Sequence, residues 1–162
     1  MEMAGNSMAI EIIDTTREHL TELSKTIREA DKKEINCFGI TIAQALLVIH
    51  KEAVWGRTAL IDGKVGAIWG LGKGGSDSGQ VGKPFLLTSK EVLTIPPITF
   101  VRIYKKELDY MLQLFPKLVN YVDSTYNESI KLLRICGFTI GEPEPFGING
   151  HMFRKFSMEC GR

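Results

Sequence analysis

The segment 122–138 constrains the fold more than any other part of the chain, because it contains the signals for a helix between two strands. A short apolar run precedes Asp123-Ser124-Thr125, whose side-chain oxygens can accept from the free N–H groups of a helix start. Apolar and charged residues then recur on opposite faces at helical spacing. Gly137 stands where a left-handed helix stop belongs, and the residues from Phe138 onward are typical of a returning strand.

The rest of the chain alternates between strand and helix patterns. Asp62-Gly63 is a strong hairpin signal, because both central turn positions tolerate a positive φ. Pro96-Pro97 is consistent with the first turn of a long helix, which should join the strands at 84–88 and 117–122 as parallel neighbours. Apolar residues recur along it at helical spacing, so we expect a buried stripe that faces Leu86 and Val119 and includes Phe100, Ile103, Tyr104, Leu108, Met111 and Phe115. The predicted elements are, in order, a strand at 9–13, a helix from Leu20 to about residue 33, a helix at 41–50, strands at 54–61, 65–71 and 84–88, a helix at 98–115, a strand at 117–122, the helix described above, and strands at 138–141 and 151–158.

The bulk composition limits the classes of function. A chain of 162 residues can bury a sizeable core, and we assign one domain to residues 8–162 after a flexible tail at 1–7. With 20 basic and 19 acidic residues the net charge is +1, so nothing favours a nucleic acid or a membrane as partner. No signal peptide or membrane span is recognisable. The three cysteines form no CxxC pair, so we expect reduced thiols in a cytoplasmic setting.

A strand, an Asn-bearing helix start at Asn127 and the pair Gly137-Phe138 resemble the C-terminal half of the GNAT acyltransferase fold. The order of elements from Met8 onward is similar to that fold as well. The resemblance implies an α/β (α+β) protein with one GNAT-like mixed sheet and helices on both faces. It also implies that the middle strands splay apart, and that acetyl-CoA binds between them if the chain is an enzyme.

The chain departs from this resemblance at the pyrophosphate loop. The family's loop reads approximately Arg/Gln-x-x-Gly-x-Gly/Ala, and its backbone N–H groups hold the pyrophosphate at a helix start. The matching stretch 88–99 contains no glycine, and Pro96 and Pro97 have no N–H. The alternative is that this stretch is only a helix entry and that Asn127 is only a helix-start residue. The cofactor-binding candidates that the resemblance implies are Thr88, Ser89, Thr94, Thr99 and Asn127.

The catalytic acid of the family is replaced too. The resemblance places the usual Tyr, four residues before the glycine of Gly-Phe, at Leu133, and a leucine cannot protonate a departing thiolate. Tyr126 could substitute as the acid, or it could be a packing residue. Glu52 could act as a general base toward an amine, or it could be a surface charge.

No metal site and no phosphate loop are expected elsewhere in the chain. His19, His50 and His151 lie far apart in the sequence, and metal binding needs clustered ligands. The segment Gly72–Gly79 lacks the Gly-Lys-Ser/Thr ending of a P-loop and precedes a strand, so we interpret it as a flexible connector.

A narrower resemblance involves several local patterns. The strand Pro84–Ser89, the helical segment Phe100–Lys106, the strand Leu118–Asp123 and the terminal Phe153–Phe156 are similar to those of the internal virion proteins of short-tailed bacteriophages and related phage-encoded GNAT-like proteins. The similarity spans about Ile40 to Met158.

This second resemblance implies a phage or prophage origin. It implies a protein without a cofactor that acts by binding, as a virion-associated or assembly component, in the host cytoplasm or the virion. Its partners would be other virion proteins or host proteins. Two alternatives stay open: an active N-acetyltransferase that uses acetyl-CoA, and a host-targeting inhibitor protein.

Overall fold

A computed structural model describes residues 9–74 and 80–160. One mixed sheet contains all seven named strands in the order β1-β2-β3-β4-β5-β7-β6, with β4 and β5 parallel and the other neighbours antiparallel. The predicted tail at 1–7 and most of the predicted glycine connector, residues 75–79, lie outside the described residues. The strands are β1 (Ile10–Asp14), β2 (Trp55–Ile61), β3 (Lys64–Lys73), β4 (Val81–Thr88), β5 (Lys117–Asp123), β6 (Thr139–Pro145) and β7 (Met152–Glu159).

Within the described residues, five α-helices cover the two faces of the sheet: α1 (Arg17–Thr26), α2 (Glu29–Cys37), α3 (Ile42–Glu52), α4 (Pro97–Leu114) and α5 (Asn127–Ile135). One buried cluster joins α4 and α5 to the sheet, and a second joins α1, α2 and α3 to it. The predicted fold class, a mixed sheet with helices on both faces, is therefore confirmed. No helix within residues 9–74 and 80–160 is long and apolar enough to cross a membrane.

The single helix predicted from Leu20 to about residue 33 is wrong, because the structure divides it into α1 and α2. The backbone between the two helices is extended at Ile27, which forms an isolated bridge with Ser89. The N–H of Arg28 donates to the carbonyl of Thr88 at 3.0 Å. A helical pattern is only a local preference, and here the pairing with the end of β4 overrides it. The break places α2 beside the end of β4.

Two predicted turns are confirmed by their backbone angles. Asp62 and Gly63 have φ values of 50° and 81° and connect β2 to β3, with Ile61 opposite Lys64. Gly137 has a φ of 105° directly after Cys136, the C-cap of α5, where an L-residue with a side chain would be strained.

The parallel pairing of β4 and β5, predicted from the helix between them, is confirmed but is short. It consists of Val81 opposite Lys117 and Gly82 opposite Leu118. Beyond these two pairs the strands diverge. The sheet therefore has an opening between the C-terminal halves of β4 and β5.

The core beneath α4 agrees with the predicted stripe at most positions. Phe100, Tyr104, Leu108, Met111 and Phe115 are buried, whereas Ile103 is only partly buried and Val101 is buried in addition. The prediction that Val119 faces this helix is wrong. Side chains alternate along a strand, and Leu118 and Val122 are the β5 residues in that core.

Candidate functional site

Two cavities meet at the opening between β4 and β5. The smaller, of about 350 Å³, lies between the end of β4, the start of α4 and α5. The larger, of about 690 Å³, extends between the sheet and the helices α2 and α3. Glu34, Leu86 and Ser129 line both cavities. A ligand at this opening could therefore be reached from both faces of the sheet.

The edge of β4 that faces the opening has one unoccupied backbone position. Pro84 lacks an N–H, so its pair with Leu71 of β3 is a non-hydrogen-bonded pair. Hydrogen-bonded and non-hydrogen-bonded pairs alternate along an antiparallel ladder. Leu86, two residues further on, therefore also points its backbone N–H and C=O away from β3. The carbonyl of Pro84 accepts from Asn120 at 2.7 Å, and the N–H of Thr88 donates to Asp31 at 2.7 Å. Leu86, between them, presents both backbone groups to the opening.

The facing edge of β5 is occupied by side chains. The N–H of Tyr121 donates to Oδ1 of Asn120 at 2.8 Å, and the N–H of Asp123 donates to Oε2 of Glu34 at 2.8 Å. Asn120 therefore bridges the two strands close to where they diverge, and Glu34 closes the far end from α2. Burial raises the pKa of Glu34 to about 8, and the nearby carboxylates of Asp31 and Asp123 act in the same direction.

Asp31 holds together the polar groups at the end of β4. Its side chain is buried, and its carboxylate accepts from the N–H and the hydroxyl of Thr88 and from the hydroxyl of Tyr126, at 2.6 to 2.7 Å. Burial raises the pKa of Asp31, and burial together with the Asp31 charge raises the pKa of the Tyr126 hydroxyl. The Tyr126 proton is thus directed to Asp31 and is held more tightly than in water.

An ion pair lies at the edge of the smaller cavity. Arg28 donates to Glu128 at 2.7 Å, and both residues line the cavity. The remaining wall is mostly apolar, with side chains from β4, the start of α4 and α5. Lys131 lines the cavity as well, but the wall carries at least as many carboxyl groups as cations, so it offers little excess positive charge to a phosphate group.

The start of α4 offers few donors to an anion. Pro96 and Pro97 have no N–H, and the N–H groups of Thr99 and Phe100 both donate to the carbonyl of Pro96, at 3.0 and 3.3 Å. Within the described residues, the N–H of Ile98 is the one in the first turn of α4 that has no acceptor. A helix N-terminus binds anions through several such groups, so this one is weak.

The loop before α4 uses its polar groups internally. Residues Lys90–Thr94 form a short 3₁₀ helix. The hydroxyl of Ser89 donates to the carbonyl of Val65 at 2.6 Å and accepts from the N–H of Glu91, and Ser89 is 0% exposed. The hydroxyl of Thr94 donates to the carbonyl of Glu91 at 2.6 Å. Neither Ser89 nor Thr94 lines the smaller cavity.

The structure brings together only part of the predicted site. Thr88 and Tyr126 both line the smaller cavity and are joined through Asp31. Thr99 is half-buried in the first turn of α4 and does not line either cavity, and Asn127 is exposed at the first turn of α5. Glu52 is exposed at the end of α3, on the wall of the larger cavity.

The start of α5 differs from the predicted cap. Oδ1 of Asp123 accepts from the N–H and the hydroxyl of Thr125, both at 2.9 Å, and so closes the turn before the helix. Tyr126 is the N-cap residue and makes no side-chain capping bond. Leu133, at the position of the family's acid, is buried and lines the larger cavity.

Asp31, Glu34 and Asn120 were missed by the sequence reasoning. Their partners lie 57, 89 and 36 residues away along the chain. The local pattern offers one signal, which is that Asp31 and Glu34 are acidic residues one turn apart on a helix that is otherwise weakly amphipathic.

Comparison with known proteins supports the fold. No protein-family model matches the chain, and no curated protein matches its sequence. An Acinetobacter baylyi protein described as an acetyltransferase is similar in structure, with 12% identity, 94% of each chain covered and a TM-score of 0.71. A GNAT-family acetyltransferase from Streptococcus pneumoniae has 13% identity, 94% of this chain and 100% of that chain covered, and a TM-score of 0.65.

The chain therefore has the GNAT acetyltransferase fold. The protein yncA of Salmonella typhimurium, solved with its cofactor acetyl-CoA, is similar over 93% of this chain and 94% of its own, with 11% identity and a TM-score of 0.61. None of these named structures is described as a phage protein. At such identities the likeness concerns the fold, and the activity has to be argued from the residues at the opening.

Proposed function

We propose that this GNAT-fold protein acts by binding, as a virion-associated or assembly component, and that acetyl transfer from acetyl-CoA is not its main activity. The observation that carries the proposal is the start of α4. Its two prolines have no N–H, and the carbonyl of Pro96 accepts from two of the other first-turn N–H groups, so one N–H is left for a pyrophosphate. A diphosphate that gains one such hydrogen bond would lose several that it makes with water, so its binding would be disfavoured.

The lack of a suitable general acid for the departing thiolate supports the same proposal. Tyr126 donates its hydroxyl proton to Asp31, and its pKa is raised, so it is a poor donor to a departing thiolate. Leu133 has no proton to offer. The phage origin and the protein partners come from the sequence resemblance alone, and they form part of this proposal on that basis.

The decisive experiment compares acetyl-CoA with S-acetylpantetheine, which lacks the diphosphate, by isothermal titration. We expect acetyl-CoA to bind more weakly than about 1 mM, or roughly −4 kcal/mol, and no more tightly than S-acetylpantetheine. A GNAT enzyme with the glycine loop serves as the positive control. Micromolar acetyl-CoA binding that depends on the diphosphate would contradict the proposal.

The binding role has its own test. Mass spectrometry of purified particles, from a phage that carries this gene, should find the protein in the virion. Its presence only in infected cells, bound to a host protein, would favour the host-targeting inhibitor instead.

Acetyl transfer is a second candidate, favoured by the way the two cavities join. Leu86 presents a free N–H and C=O to the opening, where an acyl or amide group could pair with them, and Glu34 lines both cavities. In that function Glu34 would take the proton of an amine that enters from the larger cavity, and Glu52 would lie further out on the same wall.

Thiol release from acetyl-CoA in the presence of polyamines and peptide amines tests this candidate. The expected rate equals the background hydrolysis. A faster rate that falls in Glu34→Gln, with Glu52→Gln as the matched variant on the exposed wall, would make acetyl transfer the better conclusion.

A further inference from the structure

Three different metal-ligating side chains converge beyond the far end of the opening. Cys37 is the last residue of α2, Asp123 is the last residue of β5, and His151 immediately precedes β7. One ligand atom from each lies within 4.8 Å of the other two, and Nε2 of His151 is 3.0 Å from Oδ1 of Asp123. These residues are far apart in the sequence, so the tertiary structure creates the cluster.

The carboxylate of this cluster is fixed in place. The Asp123 side chain is almost fully buried, and its Oδ1 accepts from both the N–H and the hydroxyl of Thr125. Carboxylates that ligate metals are commonly oriented by such additional hydrogen bonds. The position of Asp123 therefore does not depend on its contact with His151.

The histidine and the cysteine are also held by their surroundings. The carbonyl of His151 accepts from the N–H groups of Phe146 and Gly147, at 3.1 and 3.0 Å. A Cβ on Gly147 would lie 2.4 Å from the carbonyl oxygen of Cys37, so only a glycine allows the two segments to approach this closely. The backbone segments that carry His151 and Cys37 are thus held together without a ligand.

We propose that Cys37, Asp123 and His151 form a binding site for a divalent metal ion of the zinc class. A thiolate, an imidazole and a carboxylate together suit Zn²⁺, whereas Mg²⁺ and Ca²⁺ prefer oxygen ligands alone. Metal–ligand distances of about 2.0–2.3 Å place tetrahedral ligand atoms roughly 3.3–3.7 Å apart. The 3.0 Å separation of Nε2 and Oδ1 is close to this range. The Sγ of Cys37 lies within 4.8 Å of both atoms, and small side-chain movements would shorten these distances.

Binding would exchange protons in a defined way. The metal ion takes the place of the hydrogen between Nε2 of His151 and Oδ1 of Asp123, so the imidazole ligates as the neutral ring with its hydrogen on Nδ1. The thiol proton of Cys37 passes to solvent and leaves a metal-bound thiolate. Three protein ligands leave a fourth position for water.

A metal ion at this site would stabilise one side of the opening between β4 and β5. It ties the end of α2 to the end of β5 and to the connection before β7. Glu34 lies one turn before Cys37 on α2 and accepts from the N–H of Asp123. A bound metal would therefore stabilise α2 in the position from which it closes the opening.

The test uses the full chain, freed of any affinity tag and of metal by dialysis against a chelator. Zn²⁺ titrated calorimetrically should bind at one equivalent with micromolar or tighter affinity. Co²⁺ should produce a thiolate-to-cobalt charge-transfer band in the near ultraviolet. Cys37→Ser should abolish the band, and both Cys37→Ser and His151→Ala should weaken Zn²⁺ binding on the order of tenfold or more. Cys160→Ser, which alters an exposed cysteine outside the cluster, should change neither.

Thermal unfolding supplies a second measurement. Zn²⁺ should raise the midpoint of the wild type and of Cys160→Ser but not that of Cys37→Ser, because a ligand stabilises only the form that binds it. The proposal is overturned if the wild type shows no charge-transfer band, or if the band survives Cys37→Ser or disappears in Cys160→Ser. Should Cys37→Ser fail to fold, the wild-type cobalt spectrum and His151→Ala still decide, since a site without thiolate character contradicts the assignment.

Discussion

The two edges of β4 are built by different means. The edge toward β3 is a continuous antiparallel ladder from Ala67 opposite Thr88 to Lys73 opposite Gly82. The edge toward β5 has two parallel pairs, and beyond them side chains, not a facing strand, hydrogen-bond to the backbone. The ladder joins strands that are neighbours in sequence, whereas the opening is lined by side chains from α2 and β5.

This difference shows what a divergent edge requires. A buried backbone N–H or C=O without a partner costs about 1–3 kcal/mol, so an opening inside a sheet needs substitutes for the missing ladder. Asn120 supplies one between Pro84 and Tyr121, and Asp31 and Glu34 supply two more at the far end. Leu86 alone among the described residues of this β4 edge has neither a strand nor a side-chain partner.

The largest effect is expected in the core under the paired part of the sheet. Leu108 is 1% exposed in the middle of α4, so Leu108→Ala should lower the free energy of unfolding by about 2–5 kcal/mol through lost burial and a cavity. Leu114→Ala, at an exposed position of the same helix, should change it by less than about 0.5 kcal/mol. Urea unfolding measures both, and a similar small loss for the two variants would show that the helix is phased differently.

A smaller effect is expected where side chains close the opening. Asp31→Ala removes the acceptor of the Thr88 N–H and should cost about 1–3 kcal/mol near pH 4. The exposed Asp109→Ala is the control.

The pH dependence of Asp31→Ala follows from the direction of its pKa shift. The pKa of Asp31 is raised by burial above its usual value of 3.8, so the folded state binds the proton more tightly than the unfolded state. Its contribution is fully present below about pH 4 and is lost as the pH rises through the folded-state pKa. The difference in unfolding free energy between the wild type and Asp31→Ala should therefore shrink as the pH rises, and a difference that grows would contradict the shift.

The comparison also shows how far the sequence predicts the structure. The hairpin at Asp62-Gly63, the stop at Gly137 and the stripe of α4 were predictable because each depends on residues within a few positions. The break between α1 and α2 was not, because Ile27 is extended to meet Ser89. A period of 3.6 residues cannot reveal such a contact.

The site was predictable only in outline. The resemblance located the opening and identified Tyr126 and Thr88, which do line it. It could not supply Asp31, the residue that joins these two, because the pairing depends on the position of α2. It also did not predict that His151 meets Asp123, since the three histidines are isolated in the sequence.

An intermediate effect on local stability is expected at Asn120. Asn120→Ala removes two hydrogen bonds, to the carbonyl of Pro84 and from the N–H of Tyr121, and should cost about 1 kcal/mol, because water in the adjoining cavity can replace them. Hydrogen exchange should quicken at the Tyr121 amide and stay unchanged at the Thr88 amide, which Asp31 holds. Asn36→Ala, at an exposed position, is the matched control. Equal protection of Tyr121 in the wild type and the variant would mean that Asn120 does not close the opening.

The smallest effect is expected at Asn127, where sequence and structure disagree. As a helix cap, Asn127 would be worth about 1 kcal/mol. The structure puts it one residue inside α5, exposed, after a turn that Asp123 closes. Asn127→Ala should therefore change the free energy of unfolding by less than about 0.5 kcal/mol.

Thr41→Ala is the matched control for Asn127→Ala, because the hydroxyl of Thr41 does cap α3 by accepting from the N–H of Gln44 at 3.1 Å. It should cost about 1 kcal/mol, as a cap does. Urea unfolding measures the free energy lost in each variant. It thereby compares the start of α3, which a local cap determines, with the start of α5, which the end of β5 determines. A loss at Asn127 as large as that at Thr41 would return Asn127 to the role of a cap, and the Asp123 turn would then not suffice to begin α5.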